Sequence, residues 1–358
     1  MKNLLLGTAA IAGLVLTATP AAAQLELTIG GHSKNYVGWL DQDSVDTTQF
    51  DVIRETELHF NGESTLDSGL TFGFQVETEV DGGDDENTIE ESYIYLSSGL
   101  GRVNLGSEDG AAYLLQIAVP SADSNIDGIR QYISPVTGVE GVEAIDYAQD
   151  VTGQSEKITY LSPNYAGFQF GASYTPDVEE QASEINQAVG NVNGFNQDLE
   201  AGYEAAIRYE GATSGLGYAF GAGYSSVEND TDLSPSTNVS DDVDAWNVGL
   251  DVDAGAFGAG IAYVDKQNDN GDTDALVVGV DYTTGPVKLG ASYLTGESLG
   301  VDALGALTAV DVDRYTGGVV YTAGPGLSFR GSVSFLDQEA GAVDADSTSV
   351  LGGVQINF

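Results

Sequence analysis

Cysteine is absent from this 358-residue chain. That excludes a disulfide framework, a thiolate metal site, a cysteine nucleophile and a lipidated cysteine behind a leader. Basic residues are scarce, 11 Lys and Arg against 55 Asp and Glu, and a formal net charge of -44 would repel nucleic acid. Only two histidines, His32 and His59, are available for general-base chemistry. Beyond the N-terminus no apolar run approaches the roughly 20 residues of a transmembrane helix, and no apolar pattern sustains a period of 3.6. Glycine (47 residues) and tyrosine (18) are abundant instead, in a chain 42% hydrophobic and only 18% charged. Such a composition argues against disorder and for many short strands.

Residues 1–23 read as an export signal. Lys2 gives a positive start, Leu4 to Leu6 and Ile11 to Leu16 an apolar centre, and Ala21 to Ala23 a small-residue cleavage site. Gly7, Thr8 and Gly13 interrupt the apolar stretch and weigh against a retained membrane helix. The mature unit is expected to span 24–358, with Lys2 lost and the acidic excess increased.

Residue alternation dominates the mature chain. Phe168, Phe170, Ala172 and Tyr174 interleave Gln169, Gly171 and Ser173, and Trp246, Val248, Leu250 and Val252 interleave Asn247, Gly249 and Asp251. A period of two marks strands with one apolar face and one polar or small face. End to end, the pattern predicts 16 strands, the last four preceded or separated by links at 296–310, 323–326 and 338–346. A seventeenth candidate at 144–147 is assigned to a loop. Short links such as 67–69, 97–99, 254–255 and 284–286 alternate with long acidic ones, including 81–88, 108–153, 176–199 and 227–242. One end of the structure should therefore carry tight turns and the other large loops, as in outer-membrane barrels.

The Ala- and Gly-rich strands are too small to fill the core of a sandwich of this length. Turned inside out, the ribbon meets lipid with its apolar face and lines water with its polar face, and closure satisfies every backbone group. The expected fold is all-β, a 16-stranded antiparallel transmembrane β-barrel with a water-filled lumen. Recurrent aromatics at strand ends, such as Trp39, Tyr174, Trp246 and Tyr321, suit interfacial girdles. By parity, the lumen wall includes His32, Lys34, Glu55, Glu57, His59, Gln75, Glu77, Arg102, Lys157, Glu204, Arg208, Glu210, Asp251, Asp281, Lys288 and Arg330.

Three segments carry a family likeness: Ile158 to Tyr174 (ITYLSPNYAGFQFGASY), Asn104 to Ala111 (NLGSEDGA) and the ending Val354 to Phe358 (VQINF). With them the chain resembles the general trimeric porins of Gram-negative outer membranes, especially the branch of purple phototrophic and marine bacteria. The resemblance implies an outer-membrane homotrimer in contact with lipid and lipopolysaccharide, and a C-terminal Phe358 read by the barrel-assembly machinery. It also implies that the long loop after strand 5, here 108–153, folds inward as the constriction, bringing Glu108, Asp109, Asp123, Asp127, Arg130, Glu140, Glu143, Asp146 and Asp150 to the eyelet. The best-known members set an Arg cluster on the wall facing that loop. The matching positions here resemble Glu57 and Ser107, which departs from the transverse acid-against-base pattern.

Enzyme chemistry finds little support. A triad serving an outer-membrane hydrolase should face lipid, whereas parity turns His32 and His59 inward. The acidic stretch 265–274 fails the EF-hand pattern because Gly271 is out of register, and 81–86 and 241–244 are no closer. Solvated loops are expected there, with no resident cofactor and at most loosely bound Ca²⁺. The leading expectation is a non-enzymatic diffusion channel for small hydrophilic solutes and ions. Its wall and loop carboxylates should prefer cations. A substrate-specific channel is the main alternative. A secreted acidic adhesin or solenoid is disfavoured because the strand intervals are irregular.

Overall fold

The computed structural model describes residues 25–43, 48–80, 89–136, 145–178, 201–228, 242–267, 272–301, 307–340 and 343–358. The leader at 1–23, Glu140 and Glu143 lie outside the described residues. Sixteen strands form the fold: β1 (Glu26–Gln42), β2 (Phe50–Thr65), β3 (Thr71–Glu79), β4 (Ile89–Ser98), β5 (Gly101–Ser107), β6 (Glu156–Leu161), β7 (Phe168–Thr175) and β8 (Ala201–Thr213). They continue as β9 (Leu216–Glu228), β10 (Val243–Ala254), β11 (Phe257–Gln267), β12 (Thr273–Thr284), β13 (Val287–Val301), β14 (Leu307–Gly324), β15 (Leu327–Ala340) and β16 (Val343–Asn357). Each pairs antiparallel with its sequence neighbours, and β16 pairs with β1 to close the barrel. At the seam Phe358 N–H donates to Gly31 O (3.1 Å) and Gly31 N–H to Phe358 O (3.0 Å). The tight end reverses direction through residues such as Gly255 (φ 67°) and Gly285 (φ 55°), a left-handed conformation that glycine adopts without steric cost.

Along the membrane-crossing part of the strands the apolar face looks outward. Ile261, Phe220, Leu250, Val280, Leu289, Phe329 and Ile356 are all exposed on the outer surface. In water such a surface would be an aggregation hazard, whereas in hydrocarbon it is the required one.

The polarity inverts at the long-loop end. There the β13–β14 ladder continues to Val301↔Leu307 and the β15–β16 ladder to Ala340↔Val343, through segments expected as long acidic links. The alternation persists with the opposite sense. Asp311, Asp344 and Asp346 are exposed, while Val310, Val312, Ala340 and Ala345 are buried. Above the hydrocarbon the outer surface meets water, so the acids point out and the apolar residues point in. These inward residues join Val264, Ala275, Val277, Leu294 and Leu336 in a core inside the barrel mouth, together with Val119, Ile145 and Tyr147 of the segment that follows β5.

Candidate functional site

The described parts of that segment, 108–136 and 145–153, lie inside the barrel. The segment begins with a single helical turn, α1 (Ala111–Leu114), crosses the wall, makes a second turn, α2 (Ser124–Asp127), and returns to β6. The piece 145–147 is loop, as expected. A row of inward-facing glycines gives the loop its bed. A Cβ on Gly171 would lie 3.1 Å from Ala111 Cβ, one on Gly249 2.6 Å from Ile117 Cβ, and one on Gly318 3.3 Å from Ala122 Cβ. Gly221, Gly223, Gly260, Gly279 and Gly290 stand under Ile117, Ala112, Pro120, Val119 and Ala122 in the same way. Strands β7 and β9 to β14 thus each supply at least one position where a missing side chain makes room for the loop. These eight are a minority of the chain's 47 glycines, but they share one face.

Polar side chains fasten the loop along its length. Lys157 donates to the carbonyls of Glu108 and Gly153, closing the loop's root. Glu204 accepts from Ala112 N–H (2.9 Å) and from Thr152 Oγ1 (2.8 Å). Arg208 donates to Gln116 O (3.1 Å), and Arg314 to Ile145 O. Tyr147 Oη accepts the Val119 N–H (2.9 Å). At the far turn, buried Asp123 accepts from Tyr36 Oη (2.7 Å) and from Arg330, and Asn125 donates to Tyr36 Oη and Gln355 Oε1 (2.9 Å each). Ser292 donates to Asp127 (2.6 Å).

Opposite this covered wall, β1 to β3 present a charged cluster to the lumen. His32 and Glu57 are register partners on β1 and β2, with Glu55 and His59 flanking Glu57 on the same face. His32 Nε2 lies 2.7 Å from Glu55 Oε1 and 3.6 Å from Glu57 Oε2; His59 Nε2 lies 2.6 Å from Glu57 Oε1 and its Nδ1 3.7 Å from Glu77 Oε1. Lys34 pairs with Glu55 at 2.6 Å and sits 3.5 Å above the Tyr132 ring, where the loop meets this wall. Arg102 lies 4.0 Å over Tyr95 and donates to Asn104 (2.6 Å).

The sequence profile of the Gram-negative porin family matches residues 7–341. The chain belongs to the Gram-negative porin family. Its barrel is similar to the anion-selective porin of Comamonas acidovorans (TM-score 0.62, 16% identity, 94% of this chain and 100% of that one). It is similar also to a porin refined at 1.8 Å (TM-score 0.60, 19% identity, 93% and 100%). A variant of the Rh. blastica porin gives a TM-score of 0.57 at 15% identity, over 93% and 100% of the two chains. No curated protein matches in sequence. At these identities the likeness is one of fold, and the family places this porin in the outer membrane as a channel.

Within the porin, several residues expected around the opening lie elsewhere. Asp123, Asp127 and Lys157 are buried. A carboxylate on an inserted loop meets wall hydroxyls and guanidinium groups before it meets solvent, so they fasten the loop. Arg330 does the same through Asp123, and Ser107 is buried with its hydroxyl on Gln154 O. Arg208 pairs with Glu210 (2.7 Å), and Lys288 with Asp281 (3.1 Å). Arg130 lies between Asp109 and Asp150, above the Tyr113 ring. Asp146 accepts from the Gln131 and Ala148 N–H groups, and burial pushes its carboxyl up. Burial also raises Glu108 and Asp109, each to about 7, with nearby Asp150 adding to the effect on Asp109. Tyr36, Tyr147 and Arg314 are among the residues that the sequence did not single out. Parity with exposed Tyr315 was the available signal for Arg314. Parity with His32 and Lys34 was the corresponding signal for Tyr36, whereas nothing in the sequence announces that Tyr147 turns inward.

Proposed function

We propose that this porin is a cation-selective diffusion channel through which small hydrophilic solutes and ions cross without chemistry. The observation that carries the reading is the pairing of the lumen's charges. Lys157, Arg208, Lys288, Arg330 and Arg130 are each held by a carboxylate or by backbone carbonyls. Glu57 and Glu77 on the opposite wall are instead met by histidines. With Arg208, Lys288, Arg330 and Arg130 each offset by a carboxylate, the acids that outnumber the bases across wall and loop draw in cations. The Comamonas relative is named for the opposite selectivity, but that property rests on side chains and does not follow the fold.

The working unit is a homotrimer, delivered after loss of residues 1–23, with Phe358 offered to the barrel-assembly machinery and the apolar belt set among lipid and lipopolysaccharide. An outward-facing polar island on β1 and β2 supports association. Ser33, Asn35, Arg54 and Thr56 sit between apolar Ile29 and Phe60 on one side and Val37 and Val52 on the other. Ser33 bonds Thr56 and Asn35 at 2.9 Å. Such a group facing hydrocarbon is costly, and a neighbouring subunit would cover it. The test of function is the reversal potential of the reconstituted channel across a KCl gradient. A potassium-favouring potential at low salt that shrinks at high salt supports the reading, because the screening length falls from about 30 Å at 0.01 M to about 3 Å at 1 M. A chloride-favouring potential overturns it.

A further inference from the structure

We propose that His32, Glu57 and His59 form a binding site for one divalent transition-metal ion of the zinc class on the lumen wall. The only two histidines of the chain stand side by side there, their rings 5.9 Å apart and nearly perpendicular. One carboxylate lies between them: Glu57 offers Oε1 to His59 Nε2 and Oε2 to His32 Nε2. A ligand atom from each of the three residues lies within 4.8 Å of the other two. Tetrahedral zinc with bonds of about 2.0–2.1 Å spaces its ligand atoms about 3.3 Å apart, so small side-chain rotations complete the set.

Both rings have room for that rotation, with side-chain exposures of 16% for His32 and 29% for His59, and both are reached from the lumen. The backbone meanwhile holds the cluster rigidly. His32 and Glu57 are direct cross-strand partners, and His59 follows Glu57 on the same face of β2.

The surroundings suit a dication. Glu55 and Glu77 add two carboxylates, and Lys34, the nearby cation, is paired with Glu55. Glu77 approaches Nδ1 of His59, the ring nitrogen on the far side from Glu57. Closing onto Nδ1 when the metal binds, that carboxylate would hold the tautomer that leaves Nε2 for the metal, and such outer partners typically change metal affinity about 10–100-fold. Tyr132 closes the site from the loop side, its ring 6.4 Å from His32. Two imidazoles with one carboxylate select zinc, copper or nickel over Ca²⁺ and Mg²⁺, which take all-oxygen shells. The acidic clusters elsewhere on the barrel lack imidazole and offer no such preference.

The binding test uses chelator-washed full-length barrel in detergent, so it is independent of the pore's selectivity. Equilibrium dialysis should find one Zn²⁺ per chain, retained against a large excess of Ca²⁺. His32→Gln and His59→Gln should each weaken binding at least tenfold, and Glu77→Gln more modestly. Co²⁺ loaded into the unaltered protein should show the intense visible bands of a four-coordinate site with nitrogen ligands. Displacement of zinc by equimolar Ca²⁺, unchanged affinity in the folded His32→Gln/His59→Gln double variant, or the weak spectrum of six-coordinate, all-oxygen Co²⁺ would each overturn the proposal.

Discussion

The two sides of this lumen obey different rules. From β7 round to β14 the inner wall is cut back to glycine, and several of its polar groups, Glu204, Arg208, Ser292 and Arg314 among them, bind a loop. From β1 to β3 the inner wall carries histidine and glutamate, and it meets that loop through Tyr132 and, from β1, through Tyr36 on Asp123 and Asn125. One side is a packed interface whose energetics resemble those of a protein core. The other is a charged cluster in which His32, His59 and Glu77 are partly exposed to the lumen while Lys34, Glu55 and Glu57 pack beneath them. The difference teaches that inward-facing does not mean pore-lining. Whether a lumen residue acts on permeating ions depends on whether the loop has already claimed it.

The covered side should break most visibly. In Gly279→Val/Gly290→Val the new side chains would occupy the positions of Pro120 O and Ala122 N, and nothing flexible can give way. The loop should lift, and single-channel conductance should rise severalfold. Unchanged conductance would mean that the glycines do not seat it. On the charged side, Glu55→Gln/Glu77→Gln should leave conductance at 1 M salt nearly unchanged while moving the low-salt reversal potential toward zero. A shift of equal size at both salt concentrations would contradict a charge effect.

A subtler contrast lies at the loop's root. Burial holds Glu108 and Asp109 protonated up to about pH 7, above their values in an unfolded chain. Between about pH 4 and 7 the folded state therefore binds more protons than the unfolded one, so stability falls as pH rises through that window and levels off above it. The same deprotonation adds negative charge beside the pore, so potassium preference should increase from pH 6 to pH 8. Glu108→Gln/Asp109→Asn should flatten both profiles. Smallest of all, Tyr147→Phe removes the acceptor of the Val119 N–H and leaves a buried donor unpaired, at a cost of about 1–3 kcal/mol. It should accelerate protease cleavage within the loop while conductance stays near that of the unaltered channel.

The barrel was legible because it depends on a short-range signal. Alternation in segments such as Phe168 to Tyr174 sets one face to lipid, and the turn residues punctuate the strands. The reading misled at 296–301, 307–310, 338–340 and 343–346, where acids suggested solvated loops although the ladder continues. What changes there is the medium outside the barrel, and that is not written in the spacing. The site was half legible for a related reason. Parity sets His32, Glu57, His59 and Glu77 on one face, but it carries no information on which residues of that face the loop covers. Asp123, with Tyr36 and Arg330 on it, and Lys157, closed on two carbonyls, were fixed by contacts between residues far apart in the chain.

The absence of cysteine makes a direct test simple. In Ala122→Cys/Gly318→Cys the two Cβ atoms would start about 3.3 Å apart, close to the separation in a disulfide. If the loop lies on its glycine bed, protein isolated from the outer membrane should carry that single crosslink, revealed by a mass shift on reduction and by loss of thiol labelling. Two thiols that both react with a membrane-impermeant maleimide, in a barrel that is otherwise folded, would show the loop standing away from the wall and would contradict this view of the lumen.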